Sequence, residues 1–196
     1  MNDETFLIIG LGNPGREYKD NRHNVGFMLV DRLAVRLDAR LTRMQSRALV
    51  TSVDFEGCKL ILAKPQTYMN LSGDSVGGLA RFYKVPLGGV LVAHDDLDLP
   101  FGTIRLRPGG GPGGQKGVDS AIRRLGTKDF PRLRIGIGRP PGRMDPAAYV
   151  LQNFPTSDSQ MLSEILDWAA DAVYTFIREG IEAAMNKYNA PPKPEG

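Results

Sequence analysis

At 196 residues, with 41% hydrophobic and 24% charged residues, the chain has the make-up of one ordinary globular domain with a single core. No apolar run approaches the roughly 18 to 20 residues that span a bilayer, and no basic-then-apolar leader opens the chain. One cysteine, Cys58, rules out an internal disulfide and argues against a Cys-based zinc site, so a reducing cytoplasm and no membrane are expected.

The net charge of +3 is unevenly spread: residues 1–102 are balanced, residues 103–143 hold 10 Lys/Arg against 2 Asp/Glu, and residues 144–196 hold 3 against 8. Such a basic block reads either as a side facing a polyanion or as a solvated loop paired with the acidic end.

In chain order, Thr5–Ile9 is a short apolar run stopped by glycines, which predicts a buried strand. A polar segment carrying His23 follows. Val30, Leu33, Ala34 and Leu37 then recur at helical spacing, predicting an amphipathic helix from near Asn24. Ala48–Asp54 and Lys59–Ala63 read as a hairpin, and Ser75–Phe82 as a helix. Gly89–Ala93 is another apolar strand, emptying into His94-Asp95-Asp96-Leu97-Asp98. Thr103–Arg107 alternates like a half-exposed strand. A glycine-rich loop at Pro108–Gly114 precedes a helix over Val118–Leu125 and a strand over Leu133–Gly138. Ser157 and Gln160 form a capping pattern before a long helix through Met161, Ile165, Trp168, Ala172 and Phe176.

Alternating strands and helices predict a single α/β domain over residues 1–189, with a twisted, mixed, largely parallel sheet flanked by helices and a disordered tail at 190–196. Ligands in such sheets gather at the carboxyl ends of strands. If Thr5–Ile9 and Gly89–Ala93 are neighbours, the His23 segment faces the His94–Asp98 cluster.

Two familiar motifs fail their context. Gly10-Leu-Gly12-Asn-Pro-Gly15 matches the dinucleotide fingerprint, but the helix begins about ten residues late and no acidic residue ends a second strand at the required distance. Gly73-Asp-Ser75-Val-Gly77 matches a nucleophile elbow, yet no strand ends at Ser75 and no histidine follows His94. What remains is His23, His94, Asp95, Asp96, Asp98, Asn13 and Asn70. A histidine can take a proton from water while a carboxylate on its other nitrogen fixes the tautomer, and asparagine amides can orient a carbonyl or a water. Spacing alone leaves open whether these are catalytic or ordinary turn and strand-end residues.

The segments GLGNPGREY, RHNVGF, KPQTYMNLSG, VAHDDLDLPFG and LRIGIGRP, in this order and at this spacing, resemble the bacterial peptidyl-tRNA hydrolase family, with similarity from about Phe6 to Tyr188. The resemblance implies a monomeric α/β enzyme without cofactor, metal or stable protein partner. Its substrate would be peptidyl-tRNA, cleaved at the ester joining the peptide to the 3′-terminal ribose. The resemblance makes His23 the general base, Asp95 the carboxylate that holds it, and Asn13 and Asn70 the residues that position the peptidyl part and the scissile carbonyl. Tyr18 and Tyr68 would contact the substrate near its 3′ end. Arg107 and Arg134 would grip the tRNA 5′-phosphate, in agreement with the polyanion reading of the basic block. His94, by strand alternation, would point away from Asp95 and serve structure.

The chain departs from the family at the end of the glycine-rich loop. Where the family has Gly-His-Asn-Gly, this sequence has Gly114-Gln115-Lys116-Gly117, and Asn21 stands where a threonine is usual. Lys116 donates but cannot accept, so it suits a phosphate or a developing oxyanion and cannot replace an amide that does both. Two readings follow: an active hydrolase with an altered loop, or a catalytically weak relative retained as an RNA-binding module.

Overall fold

The computed structural model describes residues 4–191, so the expected tail lies outside the described residues from position 192 onward. One mixed sheet holds β1 (Thr5–Gly10), β2 (Arg43–Gln45), β3 (Ala48–Phe55), β4 (Cys58–Pro65), β5 (Val90–Asp96), β6 (Ile104–Arg107) and β7 (Arg132–Gly136), in the order β2-β3-β4-β1-β5-β7-β6. Its centre is parallel: β1 pairs with β4 and β5, and β5 with β7. Antiparallel pairs close the flanks, β2–β3–β4 on one side and β7–β6 on the other.

Six helices complete the described fold: α1 (Val25–Arg36), α2 (Ser72–Phe82), α3 (Lys116–Leu125), α4 (Pro146–Val150), α5 (Ser159–Glu179) and α6 (Ile181–Tyr188). Strand alternation splits the apolar residues between two layers. Phe6, Ile8, Leu60, Leu62, Leu91 and Ala93 pack against α1 and α5. Leu7, Ile9, Ile61, Val90 and Val92 pack against α2 and α3. The central strands are apolar in both registers because helices cover both faces. No helix of the described residues is long and apolar enough to cross a membrane.

The second helical layer does not reach β6 and β7. There Ile104, Leu106, Leu133 and Ile135 feed the first layer. The opposite face carries Arg105, Arg107, Arg132 and Arg134, with Arg105 opposite Arg134 and Arg107 opposite Arg132 in register. Arg132 is nonetheless buried, its guanidinium donating to the carbonyls of Gly111 and Lys128 and so anchoring the glycine-rich loop. The free edge of β6 is covered by Asn189, whose side chain accepts from Leu106 N at 2.7 Å and donates to Leu106 O at 3.1 Å. That amide substitutes for a neighbouring strand.

The glycines of the fingerprint-like turn have a packing cause. A Cβ on Gly10 would lie 2.0 Å from the Gly26 carbonyl oxygen, and one on Gly26 would lie 2.5 Å from that of Ala93. Both must be glycine for α1 to seat on β1 and β5, so these positions need no phosphate to explain them.

Several boundaries differ from expectation. The Ser157 capping pattern does not form: Ser157 sits in a 3₁₀ turn, Thr156–Asp158, and α5 starts at Ser159. Gly180, at φ 94°, breaks the terminal helix into α5 and α6. Strand β5 continues through His94, Asp95 and Asp96, and α3 begins at Lys116 with Gln115 as its cap.

Candidate active site

Because β1 and β5 are adjacent and parallel, their carboxyl ends lie side by side, joined just beyond by Leu11 N donating to Ala93 O at 2.9 Å. The β1 end runs into Asn13 and then a 3₁₀ turn, Arg22–Asn24, that presents His23. The β5 end presents Asp95. His23 Nδ1 and Asp95 Oδ2 are 2.9 Å apart, with the side chains 13% and 4% exposed.

A carboxylate only accepts, so the proton of this bond is on Nδ1, and the lone pair of His23 is on Nε2. The other Asp95 oxygen, Oδ1, accepts from Gln115 Nε2 at 3.0 Å. Gln115 Oε1 in turn accepts from Val118 N at 2.8 Å, capping α3. A continuous chain therefore runs from the first turn of α3 through Gln115 and Asp95 to His23.

Asn13 is held on three sides. Asn24 bonds both its N–H and its carbonyl, and its side-chain Oδ1 accepts from Met69 N at 2.8 Å. With Oδ1 so engaged, the donor end, Nδ2, is left for a ligand. The turn that carries His23 is fastened to the segment after α4: Arg22 N and its guanidinium donate to Gln152 O, the guanidinium also reaches Asn153 O, and it lies 4.1 Å from the Tyr149 ring centroid.

These elements surround an open cavity of about 730 Å³. Asn13, His23, Asp95 and Gln115 form its floor; Tyr68 and Asn70, from the turn after β4, line it together with Lys116. Leu97, Val150 and Leu151 add apolar wall. Tyr68 is 63% exposed, and Lys116 is exposed in the first turn of α3.

Of the residues singled out from sequence, Tyr18, Arg107 and Arg134 do not line this cavity. Tyr18 is half-buried on the turn Arg16–Tyr18. Arg107 is exposed on β6, whereas Arg134, on the same face of β7, gives Nε–H to Asp96 Oδ2 at 2.6 Å. His94 is buried at 3% exposure and donates Nδ1–H to Asp95 O at 2.8 Å, leaving Nε2 unpaired. Burial pushes its pKa below the usual histidine value.

Gln115 is the residue that sequence reasoning passed over. Lys116 stands where the family has an asparagine, yet its neighbour Gln115 is the one turned inward to Asp95. No local signal marks it: glutamine is not among the residues that favour an N-cap, and the bond from Val118 N to its Oε1 exists only once α3 has packed beside β5.

Comparison with known proteins agrees with the geometry. The family model described as peptidyl-tRNA hydrolase matches residues 7–195. The chain is 50% identical over 188 residues to the peptidyl-tRNA hydrolase of Rhodococcus jostii, covering 95% of this chain and 99% of that one. Identity to the Mycobacterium tuberculosis protein of that name is also 50%, covering 95% and 98%. The crystal structure of peptidyl-tRNA hydrolase from Acinetobacter baumannii superposes with a TM-score of 0.89 at 37% identity, covering 95% of each chain. A match along nearly the whole chain in sequence and in fold places this protein in the peptidyl-tRNA hydrolase family.

Proposed function

We propose that the protein hydrolyses peptidyl-tRNA at the ester between the peptide and the 3′-terminal ribose, with His23 as general base toward water. The observation that carries this reading is the 2.9 Å pair of His23 and buried Asp95 at the floor of an open cavity, in a chain of this family. Asp95 holds the ring and stabilises the imidazolium formed when Nε2 takes the proton of the attacking water. The leaving group is a ribose oxygen of an activated ester, so a positioned water and one base, contributing roughly 100- to 10,000-fold, suffice without a covalent nucleophile.

The remaining roles belong to the same proposal. Asn13, through Nδ2, and Asn70 hold the peptidyl part and the scissile carbonyl. Tyr68 offers an exposed ring at the mouth for the 3′ end, and Tyr18 contacts the substrate outside the cavity. Lys116 adds a cation beside the N–H groups that open α3, which favours a phosphate or the developing oxyanion. Arg107 and Arg134 grip the 5′-phosphate on the basic face of β6 and β7. The protein acts as a monomer in the cytoplasm, where its tRNA substrate arises and a lone Cys58 stays reduced.

A completed chain from Gln115 through Asp95 to His23 favours an enzyme over a binding module, because a module has no use for an oriented base. The test is release of peptide from peptidyl-tRNA by purified protein. Wild-type turnover well above that of a His23→Ala variant with equal substrate binding is expected; equal rates would overturn the enzyme reading.

A further inference from the structure

We propose that Gln115 is a positioning residue for the hydrolytic site, acting through Asp95, and that its neutral amide adds no further ionisable group to the His23–Asp95 pair. This inference rests on the general-base reading of His23. Gln115 is 8% exposed, and both ends of its amide are committed: Oε1 to Val118 N at 2.8 Å, Nε2 to Asp95 Oδ1 at 3.0 Å. The cap decides which end is which. An amide whose oxygen takes a helix N–H must turn its NH₂ to the carboxylate, and the second N–H of that group faces Met69 Sδ at 3.3 Å. Asp95 is thereby left one free oxygen, Oδ2, which aims at His23 Nδ1.

The choice of amide has an electrostatic consequence. A donor that carries no titratable proton orients the Asp95 carboxylate without adding an ionisation of its own, whereas an ionisable donor at this position would couple its own titration to the pair. Other charged groups at this cavity are Lys116 from α3, Asp96 and Asp98 from the end of β5, and Arg139 and Asp145 from the segment before α4. Arg22 is beside His23 in the chain, and His94 donates to the Asp95 carbonyl. Arg134 pairs with Asp96 and Arg139 with Asp98. All of these remain when position 115 alone is changed, so a shift in pH behaviour reports on the Gln115–Asp95 contact.

Gln115→Glu isolates it. The new carboxylate still accepts from Val118 N and keeps the cap, but its second oxygen meets Asp95 Oδ1 as a second acid. Two carboxyl groups at hydrogen-bond distance share one proton and titrate as a pair. The expected result is a second ionisation in the kcat–pH profile, with the acidic limb moved to higher pH. Gln115→Ala is expected to lower kcat by roughly 10- to 100-fold with KM nearly unchanged, the loss of one hydrogen bond to a charged acceptor.

A direct readout needs no turnover. The sequence has only two histidines, so the imidazole resonances of His23 and His94 are separated by one His23→Ala control. In Gln115→Glu the His23 resonances are expected to titrate in two steps; in Gln115→Ala they are expected to lose the fixed Nδ1–H tautomer. Superimposable His23 titrations and pH profiles in wild type and Gln115→Glu would overturn the proposal. So would a Gln115→Ala variant that loses only thermal stability, which also decides the matter if the glutamate variant does not fold. If wild type itself fails to exceed His23→Ala in turnover, the enzyme reading fails, while the imidazole titration still judges the Gln115–Asp95–His23 chain.

Discussion

The side chain of Asn24 closes both hydrogen bonds of the Asn13 main chain: its Oδ1 accepts Asn13 N–H at 2.9 Å, and its Nδ2 donates to the Asn13 carbonyl at 2.9 Å. Asn24 belongs to the turn that carries His23, so one amide ties the end of β1 to that turn. Asn24→Ala leaves two buried main-chain groups unpaired and is expected to lower stability by roughly 2–4 kcal/mol. Urea unfolding measures it; a loss below about 0.5 kcal/mol would show that water replaces this amide without cost.

Asp95→Asn tests the fixed tautomer. The new amide has one acceptor for two donors, His23 Nδ1–H and Gln115 Nε2–H, so the competition frees the ring to take the other tautomer. A fall in kcat of roughly 100- to 10,000-fold with little change in KM is expected. A purely raised KM would instead assign Asp95 to substrate binding.

His94 makes stability depend on pH. Its folded pKa is pushed down by burial, so between that value and the unfolded value of about 6.5 the unfolded chain binds a proton that the folded chain does not. Stability is therefore full above about pH 6.5 and falls as pH drops below it, by up to about 1.4 kcal/mol per pH unit. His94→Gln is expected to flatten that part of the curve. An unchanged slope between pH 6.5 and 5 would move the effect to other groups.

Salt dependence reads the basic face. Arg107 is exposed and is expected to contribute one phosphate contact, so Arg107→Ala should weaken tRNA binding and reduce the slope of log K against log salt by roughly 0.7 to 0.9, the range between single strands and duplex. Arg134→Ala also frees the Asp96 carboxylate, and is expected to weaken binding further while reducing the slope less cleanly. Identical slopes in wild type and Arg107→Ala would remove that residue from the interface.

Lys116→Asn separates rim from floor. An exposed cation at the mouth of the cavity is expected to act on substrate rather than on the base, so the change should raise KM several-fold where it holds a phosphate, or lower kcat where it faces the developing oxyanion, and in both cases leave the acidic limb of the pH profile in place. A moved limb with constant KM would put Lys116 in the chemistry itself.

The sequence by itself determined the layers and brought forward His23, Asp95, Asn13 and Asn70 as candidates, without Gln115. Apolar runs such as Thr5–Ile9 and the spacing of Val30, Leu33 and Ala34 report burial directly, because burial is a property of each residue's periodic position. The failure of the glycine fingerprint was legible from the late helix, although its cause, the contact of Gly10 with Gly26 and of Gly26 with Ala93, was not. Tertiary structure alone decided who meets whom. The order β4-β1-β5 brings His23 to Asp95 across 72 positions of chain, and the start of α3 at Lys116 makes Gln115 a cap. Local pattern carries no record of such pairings: they follow from parallel strand order and from the direction of a capping side chain, both set only when the sheet and helices have packed.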